Sequence, residues 1–391
     1  MVAAAQKIII SGYYGFRNSG DEAVLLSILG ALQKHSLATG TDVEPVVLSI
    51  DPDWTTATYG VKSVHRMKLA EVRRAISDSA GLISGGGSLL QDVTGSKSIP
   101  YYLGIIKLAQ WMGKPTFIYA QGIGPVNRKL FHPMIKAVFR KCSYISVRDE
   151  QSRRLLQSMG LEENRIEVVP DPVMGLSLSD NNGTGSKGTI GGTEPVPGQD
   201  ISNSRAALQT VGISVRFWEQ THRELDAIAD GLLKAGAQTP LHLRLLPFHH
   251  PSDNEASRYI MQELEEGILQ HGGEISICED ALHPQQMLLE VGNCDVLIGM
   301  RLHSLIYAAG RRVPLIGISY DPKIDHFLEQ VGCQPVGSTA SLDSGKLAAE
   351  VLQLLASGDD WKRKREPLIA SLVREAEAPA RQIIEHFRRK G

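Results

Sequence analysis

Arg301 and His303 stand two residues apart in Gly299-Met-Arg-Leu-His-Ser-Leu-Ile-Tyr-Ala-Ala-Gly310. The spacing predicts a buried strand ending at Ile298 and a small-residue helix beginning near Ser304. Both side chains then fall in a turn at a strand end and can face one cleft. An arginine there can hold a dianion, while an imidazole with a pKa near ~6.5 gives or takes a proton. The plain alternative is a capping histidine and an arginine in a structural ion pair. For Arg-x-His at the end of a parallel strand we favour the chemical role. Arg148 follows a predicted strand in Ser146-Val147-Arg148-Asp149-Glu150. It is read either as a cleft cation, able to clamp a carboxylate or phosphate, or as the partner of Asp149 or Glu150.

Three glycine-bearing loops follow predicted strands. The first, Ser11-Gly-Tyr-Tyr-Gly-Phe-Arg-Asn-Ser-Gly-Asp-Glu22, contains Arg17, Asn18 and Asp21, with Asn18, Ser19 and Asp21 suited to cap a helix. It is neither GxGxxG nor GxxxxGK[ST], so dinucleotide and P-loop readings fail on spacing. The second, Ser84-Gly-Gly-Gly-Ser88, leaves backbone N–H groups at Gly86 and Gly87 uncovered for an anion or a sugar. Gln91 and Asp92 beyond it either bind hydroxyls or cap. The third is Gln121-Gly-Ile-Gly-Pro125. Ser319-Tyr-Asp-Pro-Lys323 adds Lys323, and Pro247-Phe-His-His-Pro-Ser-Asp253 adds His249, His250 and Asp253. Adjacent histidines point in different directions, and no HExxH occurs, so no metal is expected.

The elements that must position these residues are short apolar runs alternating with helical stretches. Strands are predicted at 7–11, 45–50, 81–84, 115–120, 144–147 and 166–169, and again at 211–215, 241–246, 275–278, 296–298 and 315–318. Continuous apolar strands separated by helices imply parallel sheets covered on both faces, an α/β fold whose ligands sit beyond the carboxyl ends of the strands. Residues 1–175 and 207–355 are expected to form two Rossmann-like domains facing a central cleft. Residues 176–206, rich in Gly, Ser and Pro, read as a flexible insertion or linker, and 356–391 as a charged helical tail. Its WKRKRE run reads as a solvated helix face, with peripheral membrane contact as the lesser reading.

With 41 basic and 43 acidic residues the net charge is −2, which excludes a general nucleic-acid binder. Apolar residues at 42% and charged residues at 21% exclude wholesale disorder. The four scattered cysteines imply thiols of a reducing compartment. No uninterrupted apolar span of ~20 residues is present, so a cytoplasmic protein is expected.

Taken in order, GYYGFRNSGDE, ISGGGSLLQD, YAQGIGP, SVRDE, VPDPV, GMRLHSLIYAAG and ISYDPK resemble the polysaccharide pyruvyl transferase family, closest to its CsaB-like, cell-wall branch. The resemblance covers about Lys7 to Lys323. It implies a GT-B-like fold and a reaction in which phosphoenolpyruvate gives its pyruvyl unit to two hydroxyls of one sugar, forming a cyclic ketal and releasing phosphate. For this branch it implies N-acetylmannosamine, bridged at O4 and O6, in a lipid-linked secondary cell-wall polymer precursor, whose ketal anchors S-layer proteins. No cofactor is implied. On this reading His303 is the general acid/base, Arg148 and Arg301 clamp the donor's anionic ends, and Lys323 is a weaker phosphate contact. Arg17, Asn18 and Asp21 position donor or acceptor, with Gly86, Gly87, Gln121 and His249 as further substrate contacts. The rival readings are a nucleotide-sugar glycosyltransferase or 2-epimerase of the same fold, and a non-catalytic carbohydrate-binding protein.

Overall fold

The computed structural model describes residues 5–92, 95, 97–178 and 208–389. The predicted flexible insertion therefore lies almost wholly outside the described residues. Seven strands form the first sheet: β1 (Gln6–Tyr14), β2 (Val43–Ser49), β3 (Lys62–His65), β4 (Gly81–Gly85), β5 (Thr116–Gln121), β6 (Tyr144–Val147) and β7 (Glu167–Val168). Six form the second: β8 (Gln209–Ser214), β9 (Leu241–Leu245), β10 (Glu274–Ile277), β11 (Val296–Gly299), β12 (Leu315–Ser319) and β13 (Gly337–Ser338). The orders are β3-β2-β1-β4-β5-β6-β7 and β10-β9-β8-β11-β12-β13, parallel throughout. Each order reverses direction at its middle, between β1 and β4 and between β8 and β11. Those switch points open a crevice at the carboxyl edge of each sheet.

The inner strands read as apolar runs because both faces are covered. Ile8 and Ile10 join the core that continues into the second lobe, while Ile9, Leu82 and Ile118 pack on the opposite face of the first sheet. β3 and β13 were not among the predicted strands. Both are short edge strands whose residues are at most half-buried, so they lack the apolar run that marks an interior strand.

The tail is helical. The helix Ser344–Ala376 bends at Ser357, and Trp361 is buried against its own lobe. From the WKRKRE run, Arg365 lies 4.9 Å over the Trp361 ring and Glu366 pairs with Arg312 at 3.0 Å, while Lys362, Arg363 and Lys364 face solvent. The chain then returns to the first lobe. Glu377 pairs with Lys34 at 2.7 Å, and in the last helix, Ala378–Arg388, Phe387 packs 5.6 Å from Phe117. All four cysteines are buried and unpaired. Among the described residues no helix is long and apolar enough to cross a membrane, and no group of three metal-ligating side chains occurs.

Candidate active site

The loop after β1 is tied down by Glu22, a buried carboxylate that accepts from the backbone N–H of Gly15 at 2.8 Å and from Tyr59 Oη at 2.9 Å. Gly15 adopts φ +81°, and a Cβ there would lie 2.1 Å from Ser49 Oγ. Asn18 caps the helix Ser19–Thr39 by accepting from Gly20 N–H at 3.1 Å. Its backbone also bridges to His249, so this loop joins the two lobes. Gly20 faces His303 directly: a Cβ at residue 20 would fall 2.2 Å from His303 Nδ1.

Arg148 leaves the end of β6 with its side chain 8% exposed. Its Nη1 donates to Asp171 Oδ2 at 3.1 Å and its Nη2 to Ser88 Oγ at 2.8 Å, with Nε 3.8 Å from Asp149. Glu150, one of the two expected partners, instead pairs with Arg153 and Arg154. Asp149 chiefly caps the following helix, accepting from Ser152 N–H. Gly122 leaves room for the guanidinium, since a Cβ there would lie 2.8 Å from Arg148 Nε. The sequence marked Gly122 only as part of a glycine turn.

Asp171 is the organising residue that sequence reasoning missed. It is buried, its Oδ1 accepts from Val173 N–H, and its Oδ2 lies between Arg148 and His303 Nε2, which is 4.0 Å away. The one available signal was the Asp in VPDPV, which on its own is indistinguishable from a turn cap. The helix carrying His303 starts at Leu302, earlier than expected, so Arg301 is its cap residue and His303 sits in its first turn. His303 Nε2 is shielded from water and has no hydrogen-bond partner among the described residues. Burial holds the imidazole below its ordinary pKa; Asp171 opposes that, while Arg148, Arg301 and Lys323 add to it.

Arg301 is not a free clamp. Its guanidinium is bound bidentately by Asp253, Nε to Oδ2 at 2.9 Å and Nη2 to Oδ1. Asp253 is wholly buried and also accepts from His249 N–H at 2.9 Å. The structural ion pair set aside for Arg301 is therefore present. His249 Nδ1 lies 3.1 Å from Ser252 Oγ. Lys323 opens the helix Pro322–Gln330, 3.6 Å from Asp321, and lines a hollow with Arg148, Asp149, Asp171 and Leu302.

Asp21 is half-buried beside Gly87: its Oδ1 is 2.8 Å from where a Gly87 Cβ would stand. Its carboxyl is pushed up to about 7 by burial and by Glu22, against the pull of Arg148. Three other candidates fall elsewhere. Gln121 is fully buried, and among the described residues neither of its amide atoms has a hydrogen-bond partner. Arg17 is 60% exposed, 3.4 Å from Asp51 and 5.6 Å over Trp54, held by its own lobe's loops outside the Asp171 cluster. Gly86, at φ +53°, serves close packing, since its Cβ would meet Val24 at 1.8 Å. Asp92 ties the third loop through the N–H groups of Asn127 and Arg128, the capping alternative.

Two doubly wound parallel sheets with facing carboxyl edges, and a last helix that crosses back to the first lobe, define a GT-B-type α/β enzyme fold. Solved structures share it. UDP-GlcNAc 2-epimerase from Neisseria meningitidis, bound to UDP-GlcNAc, matches with a TM-score of 0.60 and 11% identity over 99% of this chain and 100% of that one. The lipopolysaccharide outer core galactosyltransferase WaaB matches with a TM-score of 0.50 and 15% identity over 96% and 99%. Identities this low show the fold alone. The family is shown by sequence. The polysaccharide pyruvyl transferase model matches residues 18–322, and the chain belongs to that family. It is a pyruvyltransferase acting on a polysaccharide. Amylovoran biosynthesis protein AmsJ of Erwinia amylovora is 21% identical over 300 residues, 72% of this chain and 67% of that protein.

Proposed function

We propose that the pyruvyl donor is phosphoenolpyruvate and that two hydroxyls of one sugar receive its pyruvyl carbon as a cyclic ketal, with release of phosphate. The acceptor in this reading is N-acetylmannosamine, bridged at O4 and O6, in a lipid-linked secondary cell-wall polymer precursor. The lipid anchor brings the chain to the inner face of the cell membrane. The observation that carries the reading is the convergence of Arg148, Asp171 and His303 from both lobes beside Lys323.

The donor carries a carboxylate and a phosphate, and guanidinium and ammonium groups can neutralise both. The first hydroxyl oxygen bonds to C2 while C3 gains a proton and becomes a methyl group. The C2–O bond to phosphate then breaks, its electron pair leaving with phosphate, and the second hydroxyl oxygen takes its place. That hydroxyl's proton ends on the released phosphate or on a base. His303, kept neutral by burial, takes the first hydroxyl's proton and delivers it to C3. Asp21, with a carboxyl near neutrality, suits the second hydroxyl. Arg148 and Lys323 face the donor's anionic groups. Arg301, locked by Asp253, holds the turn that presents His303 and keeps a positive field on it.

Phosphate release is the test. Release that requires both phosphoenolpyruvate and an N-acetylmannosamine-containing acceptor is expected. Turnover of a UDP-sugar without phosphoenolpyruvate overturns the reading.

A further inference from the structure

The cations at the carboxyl edge of the second sheet differ in how far they are already neutralised. Arg301 is gripped by Asp253, and Lys323 lies 3.6 Å from Asp321. Across the cleft, Arg148 rests on Asp171. Arg216, two residues past the end of β8, is different. Among the described residues no carboxylate lies within ion-pair reach of it, although it is half-buried. Its guanidinium sits 5.2 Å over the Trp218 ring and 5.1 Å over the Tyr320 ring, and those rings are 4.4 Å apart. Nη1 donates to Tyr320 Oη at 3.1 Å, while Nε is shielded from water and has no acceptor among the described residues. An arginine flanked by aromatic faces and lacking a counter-ion has its planar fork oriented but its charge unanswered.

Position ties this group to the cleft. β8 pairs with β11, whose end carries Arg301 and His303. Tyr320 lines a hollow with Ser88, Gly122, Asp149 and Lys323, residues of both lobes. The field of Arg216 also reaches His249, which burial, Arg301 and Arg216 together hold below its ordinary pKa against the pull of Asp253.

We propose that Arg216, oriented by Trp218 and Tyr320, is a further phosphate-binding residue of this cleft. The proposal deepens the pyruvyl-transfer reading and rests on it only for which phosphate is bound: that of the donor, or that of a diphosphate linking the acceptor to its lipid. No bond is made or broken at Arg216; it supplies charge-assisted hydrogen bonds to phosphate oxygens.

The full chain is titrated with inorganic phosphate and with phosphoenolpyruvate while tryptophan emission is followed, with Trp218→Phe identifying the responding ring. Steady-state kinetics then use phosphoenolpyruvate and a prenyl-diphosphate-linked saccharide. If the donor's phosphate is bound, Arg216→Gln weakens phosphate and phosphoenolpyruvate binding by roughly tenfold or more, the worth of one charge-assisted hydrogen bond, with kcat changed far less than KM. Arg216→Lys, which keeps the charge but not the fork, falls between. If the carrier's phosphate is bound, the KM of the lipid-linked acceptor rises by a similar factor and that of phosphoenolpyruvate does not. Should Arg216→Gln fail to fold, Tyr320→Phe, which removes only the hydroxyl orienting Nη1, gives the same pattern at lower amplitude. Folded variants that bind inorganic phosphate, phosphoenolpyruvate and the lipid-linked acceptor as the parent does overturn the proposal. A parent that binds phosphate but transfers no pyruvyl group defeats the functional reading and leaves this one to be judged on binding alone.

Discussion

Replacing Asp171 by asparagine removes one negative charge from between Arg148 and His303 while preserving shape and the oxygen that caps Val173 N–H. The Asp171 and Arg148 side chains are 6% and 8% exposed, so water cannot replace the lost charge. Taking one partner from a buried pair costs about 3–5 kcal/mol of stability, because the remaining guanidinium stays desolvated and unanswered. His303 Nε2 lies 4.0 Å from Asp171 Oδ2. At an effective dielectric near ~20 a unit charge at that distance is worth ~4 kcal/mol, an upper bound once the surroundings relax. Asp171 raises the imidazole pKa and burial lowers it, so the substitution lowers it further. The limb of the pH–rate profile that belongs to His303 should move down by ~1–3 pH units, and kcat at neutral pH should fall by ~10²-fold or more. Phosphate release is measured across pH on protein shown by urea unfolding to be folded at the assay temperature. Lost stability with an unshifted limb and an unchanged kcat would reduce Asp171 to a structural ion-pair partner and remove it from the mechanism.

Three further outcomes are expected. Gly20→Ala places a methyl group where the His303 ring stands, 2.2 Å from Nδ1, and should lower kcat by roughly tenfold or more, measured by phosphate release. Asp21→Asn should lose activity yet melt higher at alkaline pH. The folded carboxyl holds its proton up to about 7 against an ordinary value of 3.8, so folding carries a penalty that grows as pH rises through that window and is constant above it. The gain in melting temperature should therefore be near zero at about pH 4 and full at about pH 8, worth roughly 2 kcal/mol for a half-buried group. Phe387→Ala removes a nearly buried ring from the first sheet's covering helix, and should cost about 3–5 kcal/mol in denaturant unfolding.

Much of this architecture was legible along the chain. Apolar runs such as Lys7-Ile-Ile-Ile-Ser11 and Val296-Leu-Ile298 locate interior strands, and the residues just beyond them locate the edge where chemistry sits. Arg148 and Lys323 were found that way and line one hollow, and His303, found the same way, lies 4.0 Å from Asp171 in its wall. Gln121 shows what the same rule leaves open: it closes a strand yet is fully buried, because side chains alternate in direction and a strand-end position does not fix which face a residue presents. Arg301 shows the complementary failure. Its partner Asp253 is 48 residues away, and no local spacing reveals a pair closed only by folding.

The sequence by itself determined the alternation of elements, the parallel sheets it requires and the inventory of cationic and titratable groups at the strand ends, because periodicity and turn chemistry act over neighbouring residues. Tertiary structure alone decided how those groups are matched. It set Asp171 between Arg148 and His303, locked Arg301 onto Asp253, pressed the imidazole against Gly20 and left Arg216 without a counter-ion among the described residues. It also returned the last helix to the lobe where the chain began. Charge neutralisation and burial depend on distances of a few ångströms between segments remote in sequence, and only packing sets those.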